Sequence, residues 1–225
     1  MEEDRLLMSA LCRAPRPGVM LRRNMNQEVL SAQAQIPGLP CVLVLAAGRG
    51  ERFRASGGNT HKLQAMLGDR TVLQTTIAAV QASGLPWHVE YGPHSGMGES
   101  IAAAVRATSH ANGWLILPAD LPLIQARTLQ ALAAQLGQLD PDLLQVIQPF
   151  YQAQKGHPVA FTRAALQALS TLCGDLGASS VVKAAAQSQT LKRWDCDDLG
   201  CVLDVDTVSA LEQARQLWQQ QLQGV

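Results

Sequence analysis

Cys41-Val-Leu-Val-Leu-Ala-Ala-Gly-Arg-Gly-Glu-Arg-Phe53 is the stretch on which the fold turns. It opens with an unbroken apolar run, Cys41 to Ala46, in which no polar residue alternates. A short run of that kind belongs to a strand buried on both faces, as in a parallel sheet covered by helices. A polar, glycine-rich stretch follows from Gly48 to His61. Small residues let a backbone approach an anion closely, and successive N–H groups in such a turn form an anion-binding concavity. Arg52 and Lys62 bring positive charge to it. The loop is not a Walker A motif, because no Gly-Lys-Ser/Thr follows, nor a dinucleotide fingerprint, because Gly48-Arg-Gly50 lacks the third glycine. By spacing alone it fits a plain strand–helix turn with exposed Arg and Lys equally well.

Outward from this stretch, apolar runs alternate with helical stripes. Asp69 to Ser83 reads as a helix with Val72, Leu73, Ile77 and Val80 on one side, stopped by Gly84. Trp87 to Tyr91 is a strand, Gly92 to Gly98 a loop, and Glu99 to Ser109 a helix. Trp114 to Leu117 is a second buried strand, and Leu129, Leu132, Ala133 and Leu136 stripe a further helix. Strands over Leu143–Ile147 and Pro158–Phe161, helices over Arg163–Leu169 and Ser179–Gln187, and a short strand over Val202–Val205 follow. Thr207 can N-cap the last helix. The pattern predicts a three-layer α/β/α sandwich with a mostly parallel sheet. Ligands in such sheets bind beyond the carboxyl ends of the strands. That singles out the residues after Ala46, after Leu117 and around Asp204–Asp206.

The second of these exits reads Leu117-Pro-Ala-Asp-Leu-Pro122. A carboxylate where a buried strand opens suits Mg²⁺, which takes one or two carboxylates plus phosphate oxygens and water. A turn or N-cap role fits Asp120 as well. At the third exit, Asp204 and Asp206 are two apart and share a face if the chain there is extended. Asp206 also precedes a helix start, where a carboxylate suits the helix dipole.

Composition narrows the function classes. The chain of 225 residues fits one α/β domain, with residues 1–39 expected as a poorly ordered extension and 40–225 as the domain. Its 18 basic and 18 acidic side chains cancel, which leaves no footprint for nucleic acid or an anionic membrane. No apolar run approaches the ~20 residues of a membrane helix. Five scattered cysteines, Cys12, Cys41, Cys173, Cys196 and Cys201, form no Cys-x-x-Cys pair and read as reduced thiols of a cytoplasmic protein. His61, His88, His94 and His110 read as ordinary surface or loop histidines.

Six motifs in order carry a resemblance. Leu45-Ala-Ala-Gly48-x-Gly50-x-Arg52 with Lys62-Leu63 comes first, followed by Gly96-Met-Gly98-x-Ser100 and Leu117-Pro-Ala-Asp120-Leu-Pro122. Gly156-His-Pro158, Gly174-Asp-Leu-Gly177-Ala178 and Asp204-Val-Asp206-Thr207 complete the set. In these the chain resembles the MobA-like nucleotidyltransferases and, within them, the molybdenum cofactor cytidylyltransferases, over about Cys41 to Leu217. The resemblance implies a Rossmann-like, GT-A-like nucleotidyltransferase fold and transfer of CMP from CTP to molybdopterin with loss of pyrophosphate. It implies Mg²⁺ on Asp120 and Asp206, and Arg52, Lys62 and Asp120 as catalytic residues. Leu45, Ala46, Ala47, Gly48, Arg52 and Lys62, with Gly96, Met97, Gly98 and Ser100, would bind the nucleotide. Gly156, His157, Gly174 and Asp175 would face the acceptor. Glu99 would either accept from the cytosine amino group or stand exposed at its helix start. A molybdoenzyme or a maturation chaperone would take the product. The alternatives are a GTP- or sugar-phosphate-using transferase and a non-catalytic nucleotide or cofactor carrier. One departure stands out. Relatives carry a strand–helix–strand between the first helix and the Gly-Met-Gly loop, whereas Gly84 to Gly96 has room for a single strand, so one β–α unit is expected to be missing.

Overall fold

The computed structural model describes residues 38–223; apart from Gly38 and Leu39, the expected N-terminal extension lies outside them, as does Cys12. In chain order the strands are β1 (Cys41–Leu45), β2 (Met66–Leu67), β3 (Arg70–Thr71), β4 (Trp87–Glu90), β5 (Gly113–Pro118), β6 (Val146–Tyr151), β7 (Gln154–Lys155), β8 (Val159–Thr162) and β9 (Leu191–Asp195). The α-helices are α1 (Glu51–Ala55), α2 (Val72–Ala82), α3 (Met97–Ala107), α4 (Ala126–Gly137), α5 (Leu166–Ser170), α6 (Ser179–Gln187) and α7 (Val208–Gln223).

The main sheet runs β4-β1-β5-β8-β6-β7, with β9 also beside β6. β1 is parallel to both β4 and β5, and β9 is parallel to β6; β8 and the β7 hairpin strand run against the rest. The sheet is mostly parallel, as the apolar runs predict. Alternation along its strands builds the two outer layers. Val42, Val44, Leu115 and Leu117 face one cluster, with Ile77 and Val80 of α2, Leu129 and Leu132 of α4 and Leu211 of α7. Cys41, Leu43, Trp114 and Ile116 face the other, with Ile101 and Val105 of α3, Leu169 of α5 and Val181 of α6. All four interior residues Val42 to Val44 and Leu115 are fully buried.

Several local expectations need correction. The Gly48–His61 stretch is not all loop, since it contains α1. The helix expected from Asp69 starts at Val72: Asp69 belongs to the turn between β2 and β3, and Thr71 forms a capping box with Gln74. Helix α3 starts at Met97 rather than Glu99. Strand β6 begins at Val146 and continues to Tyr151, where Leu143–Ile147 was expected. Val202–Val205 is not a strand: the segment lies past the end of β5, where no neighbouring strand among the described residues offers a ladder, and Val205 N–H bonds to Asp120 O at 2.9 Å. The missing β–α unit is seen as expected. Between α2 and α3 there is only β4, and β4 is the edge of the sheet.

Candidate active site

The carboxyl ends of β4, β1 and β5 open onto a cleft of about 480 Å³. Each exit supplies part of its wall. Leu45, Ala47 and Gly48 come from β1 and its loop, Arg52 from α1, Pro118 and Asp120 from the end of β5 and the turn after it, and His94, Ser95 and Gly96 from the segment after β4. Met97 and Ser100 of α3 join them, with Lys62, Asp175 and Asp206 from elsewhere in the chain.

Lys62 is the centre of the charged part. Its Nζ donates to Asp120 Oδ2 and to Asp206 Oδ1, each at 2.5 Å. The three side chains are only 12–13% exposed, so their interactions are poorly screened by solvent. Arg52 Nη2 pairs with Asp206 Oδ2 at 2.5 Å, but its side chain is 80% exposed and that contact is weakly held. Local structure places each group. Lys62 opens a 3₁₀ turn, Lys62–Gln64, capped by His61 Nδ1 and pinned by buried Leu63. His61 Nε2 also reaches Gly48 O at 2.8 Å, tying that turn to the glycine loop. Asp120 is fixed by its neighbour: Ala119 N–H donates to Leu45 O, and Thr76 Oγ1 donates to Ala119 O.

Burial would lower the Lys62 pKa, but the charges and hydrogen bonds of Asp120 and Asp206 outweigh it and hold the ammonium above its ordinary range. Burial would raise the Asp206 pKa, yet the Lys62 hydrogen bond and charge hold it below the usual carboxylate range. Asp204 is pushed up, first by burial and then by its hydrogen bond to Asp206 and the negative charges of Asp206 and Asp120. A carboxylate oxygen from each of Asp120, Asp204 and Asp206 lies within 4.8 Å of the others. Asp120 Oδ1 is buried and has no hydrogen-bond partner. Three converging carboxylates, one with an orphaned buried oxygen, fit a hard divalent cation.

The glycine pair beside α3 has a packing cause. A Cβ on Gly96 would lie 2.6 Å from the Gly174 carbonyl, and one on Gly98 would lie 2.6 Å from that of Cys173. Gly98 N–H donates to Gly174 O at 2.7 Å, and Gly174 N–H donates to both Glu99 oxygens at 3.0 Å. The two predicted loops are thus laced together, and of Gly174-Asp175 the side chain of Asp175 lines the cleft. Glu99 takes the exposed helix-start role with its carboxylate committed to Gly174, and is not a cleft residue. Ser100 lines the cleft with a buried hydroxyl that lacks a partner.

Five predicted residues lie outside the cleft wall: Gly174, laced to Gly98 and Glu99 as described, and four others. Ala46 uses its N–H on Glu90 O and packs on the core, and Gly98 is covered by Cys173. Gly156 is wedged against Cys201, and its carbonyl accepts from Gln148. His157 follows it, with its N–H on Cys201 O and a cis bond to Pro158. Burial pulls the His157 pKa down, opposed by the charge of Asp120, and its Nδ1 has no partner.

The structure also brings forward residues read as ordinary. His94 lines the cleft, bonded through Nε2 to Glu90 Oε1 at 2.9 Å. The signal for it was its place after a parallel strand, the same rule that selected Gly48 and Asp120. Asp198 is buried and accepts from Gln125 N–H, the Gln125 side chain, Thr128 Oγ1 and Gly200 N–H. Cys196 and Cys201, unpaired in the sequence reading, have their sulfurs 3.5 Å apart as free thiols.

A sheet of this topology, with a glycine loop, a lysine and carboxylates gathered at its carboxyl ends, defines the nucleotidyltransferase class. The model of the MobA-like NTP transferase domain matches residues 78–191, just over half of the chain. The chain belongs to the MobA-like NTP transferase family. Among solved structures it is similar to a nucleotidyl transferase from Methanothermobacter thermautotroptrophicus, at 18% identity with a TM-score of 0.67, over 81% of this chain and 99% of that one. Rv0371c from Mycobacterium tuberculosis H37Rv is similar over 81% of this chain and 100% of its own, at 20% identity and a TM-score of 0.63; it has also been solved in complex with manganese. Molybdopterin-guanine dinucleotide biosynthesis protein A from Archaeoglobus fulgidus shares 13% identity over 80% of this chain and 99% of its own, with a TM-score of 0.52. These likenesses show the Rossmann-like nucleotidyltransferase fold. A stretch of 23 residues is 83% identical to the LysR family substrate binding domain-containing protein YagP of Escherichia coli (strain K12), and it spans 10% of this chain and 17% of that protein. So short a match identifies no shared domain.

Proposed function

We propose that the chain transfers CMP from CTP to a molybdopterin-type acceptor and releases pyrophosphate. An acceptor phosphate oxygen forms a bond to the α-phosphorus as the bond from that phosphorus to the β-phosphate oxygen breaks. The observation that carries the reading is the Lys62–Asp120–Asp206 constellation beside the Gly48 loop. A nucleotide carrier has no need of that charged set at the strand ends.

Asp120 and Asp206, with Asp204, would hold Mg²⁺, for which the orphaned Asp120 Oδ1 is a ready ligand. Bound there, the ion would supply Lewis-acid polarisation of a phosphoryl oxygen. The chain's own work is positioning and charge neutralisation. Backbone at Ala47 and Gly48 takes the phosphates, while Lys62 and Arg52 offset charge growing on the leaving pyrophosphate. Gly96, Met97 and Ser100, which line the cleft, close on the base, and Asp175, also in its wall, faces the acceptor. Gly156, His157 and Gly174 support that side from behind the wall. The Gly96-Met-Gly98 resemblance favours CTP over GTP, and a tight loop excludes the larger purine by volume. The product would pass to a molybdoenzyme or its maturation chaperone. A cytoplasmic setting agrees with the absence, among the described residues, of any helix long and apolar enough to cross a membrane.

The test is an NTP panel with molybdopterin and Mg²⁺, read by mass spectrometry for the dinucleotide. Formation of the cytosine dinucleotide is expected. Equal or better turnover of GTP would replace the donor, product with a sugar phosphate alone would replace the acceptor, and no product with any pair would leave a binding module.

A further inference from the structure

The three parallel strands β4, β1 and β5 end on one rim, so their exits lie in a row. The β5 exit carries Asp120 and the β1 exit carries the Gly48 loop. The same cleft runs on past the Gly48 loop to His94, Ser95 and Gly96, so a nucleotide whose phosphates lie over β1 and face Asp120 has room for its nucleoside end over the β4 exit. In this chain β4 is the sheet edge and α3 follows it after six residues, Tyr91 to Gly96, so that segment forms the wall there.

His94 is the polar side chain that this wall presents to the cleft along with Ser95. It is held firmly. Its Nε2 lies 2.9 Å from Glu90 Oε1, and the two side chains are 18% and 17% exposed. Glu90 Oε2 lies 3.3 Å from His88 Nε2, and Gly92 N–H donates to Glu90 Oε1 at 3.4 Å. Gly92 has φ +67°, and a Cβ there would lie 3.0 Å from Ala47 Cβ and 3.1 Å from His94 Cδ2. The turn thus packs closely against both the imidazole and Ala47 of the nucleotide loop, with no room for a side chain at Gly92. Burial would raise the Glu90 pKa, but hydrogen bonds from His94, then His88 and Gly92, hold it below the usual carboxylate range. An ionised carboxylate only accepts, so His94 Nε2 must be the donor. In the neutral ring the proton is then on Nε2, and Nδ1 keeps its lone pair. Among the described residues the hydrogen bond that the His94 side chain makes runs through Nε2 to Glu90.

An acceptor with a fixed tautomer at the nucleoside end distinguishes an amino group from a carbonyl. Cytosine and uracil are nearly the same size and differ at this edge: cytosine offers an exocyclic amine where uracil offers a carbonyl. We propose that His94, held by Glu90, is the specificity-determining residue of the nucleotide site, its Nδ1 accepting from the exocyclic amine of the base and rejecting a carbonyl in that place. This rests on the CTP reading above.

The experiment is calorimetric titration of the full chain with CTP, UTP and pyrophosphate, each with Mg²⁺, for the wild type, His94→Ala and His94→Phe. The wild type should bind CTP at least about tenfold more tightly than UTP, the discrimination expected where a buried polar group is left unpaired by the wrong ligand. Both variants should lose most of that ratio, His94→Phe while keeping the ring volume, and both should bind pyrophosphate as the wild type does. A CTP preference kept by both variants would overturn the role of His94 and leave the CTP reading standing. Pyrophosphate binding weakened in step with CTP would overturn it too, by showing that the residue only shapes the site. A wild type that binds the two nucleotides equally would overturn the CTP reading and this inference with it.

Discussion

Asp120 and Asp206 meet at one lysine but are delivered by opposite kinds of structure. Asp120 stands two residues past the end of β5, a buried central strand held by β1 on one side and β8 on the other. Asp206 lies on a segment that pairs with no strand among the described residues. That segment is fixed by Val205, fully buried and bonded to Asp120 O, and by Thr207, whose hydroxyl caps α7 through Ala210 N–H. Upstream, the Leu199–Cys201 turn is moored to the start of α4 by Asp198. A side chain just beyond a central strand inherits the stiffness of the sheet. A side chain on a tethered loop depends on its tethers. Mutations of the first arm should therefore show as lost chemistry, and mutations of the second as lost chemistry and lost stability together.

The sharpest break is Asp120→Ala. Pyrophosphate release should fall at least about a hundredfold, or ~3 kcal/mol of barrier, with the circular dichroism spectrum unchanged. Near-normal turnover would remove Asp120 from the site. Asp206→Ala should lose a similar share of rate and, in addition, about 1 kcal/mol of stability, because a carboxylate beside the first turn of α7 is lost with its Lys62 and Arg52 pairs. A stability equal to that of Asp120→Ala would show that the loop arm is no more dependent on its charge than the strand arm. Asp198→Ala tests the tether alone. It strands several buried donors and should cost about 2–3 kcal/mol in urea unfolding, while the residual folded protein keeps its CTP affinity. The smallest effect is expected from deleting residues 1–39, which lack a periodic apolar face; melting temperature and activity should stay close to those of the full chain.

The same contrast explains what could be read in the sequence. The strand arm was legible because uninterrupted apolar runs such as Val42–Leu45 and Trp114–Leu117 demand burial on both faces, and strand ends then mark the site. The loop arm was half legible. Val202 to Val205 is apolar enough to suggest a strand, but a strand needs a neighbour, and past the end of β5 there is none among the described residues. Strand β9 was missed for the converse reason: Leu-Lys-Arg-Trp-Asp is mostly polar and largely exposed at the sheet margin, yet it pairs along its whole length with β6. Gly96 and Gly98 were recognised as a motif, but their cause is the Cys173–Gly174 backbone crossing them, a contact between segments about 75 residues apart in the chain. The tether Asp198 and the Cys196–Cys201 contact left no trace in spacing, because a 3₁₀ turn, not a helix or strand period, brings them into place. His94 could have been found by applying the strand-exit rule to β4 as it was applied to β1 and β5.

Pyrophosphate release by the purified full chain, supplied with CTP, molybdopterin and Mg²⁺, bears most directly on the account. Release that depends on all three components, and that stops on chelation of the metal and resumes when it is restored, is the predicted result. Binding of CTP with no pyrophosphate formed, under conditions where the acceptor is intact, would contradict it and make the Lys62–Asp120–Asp206 site a nucleotide-holding one.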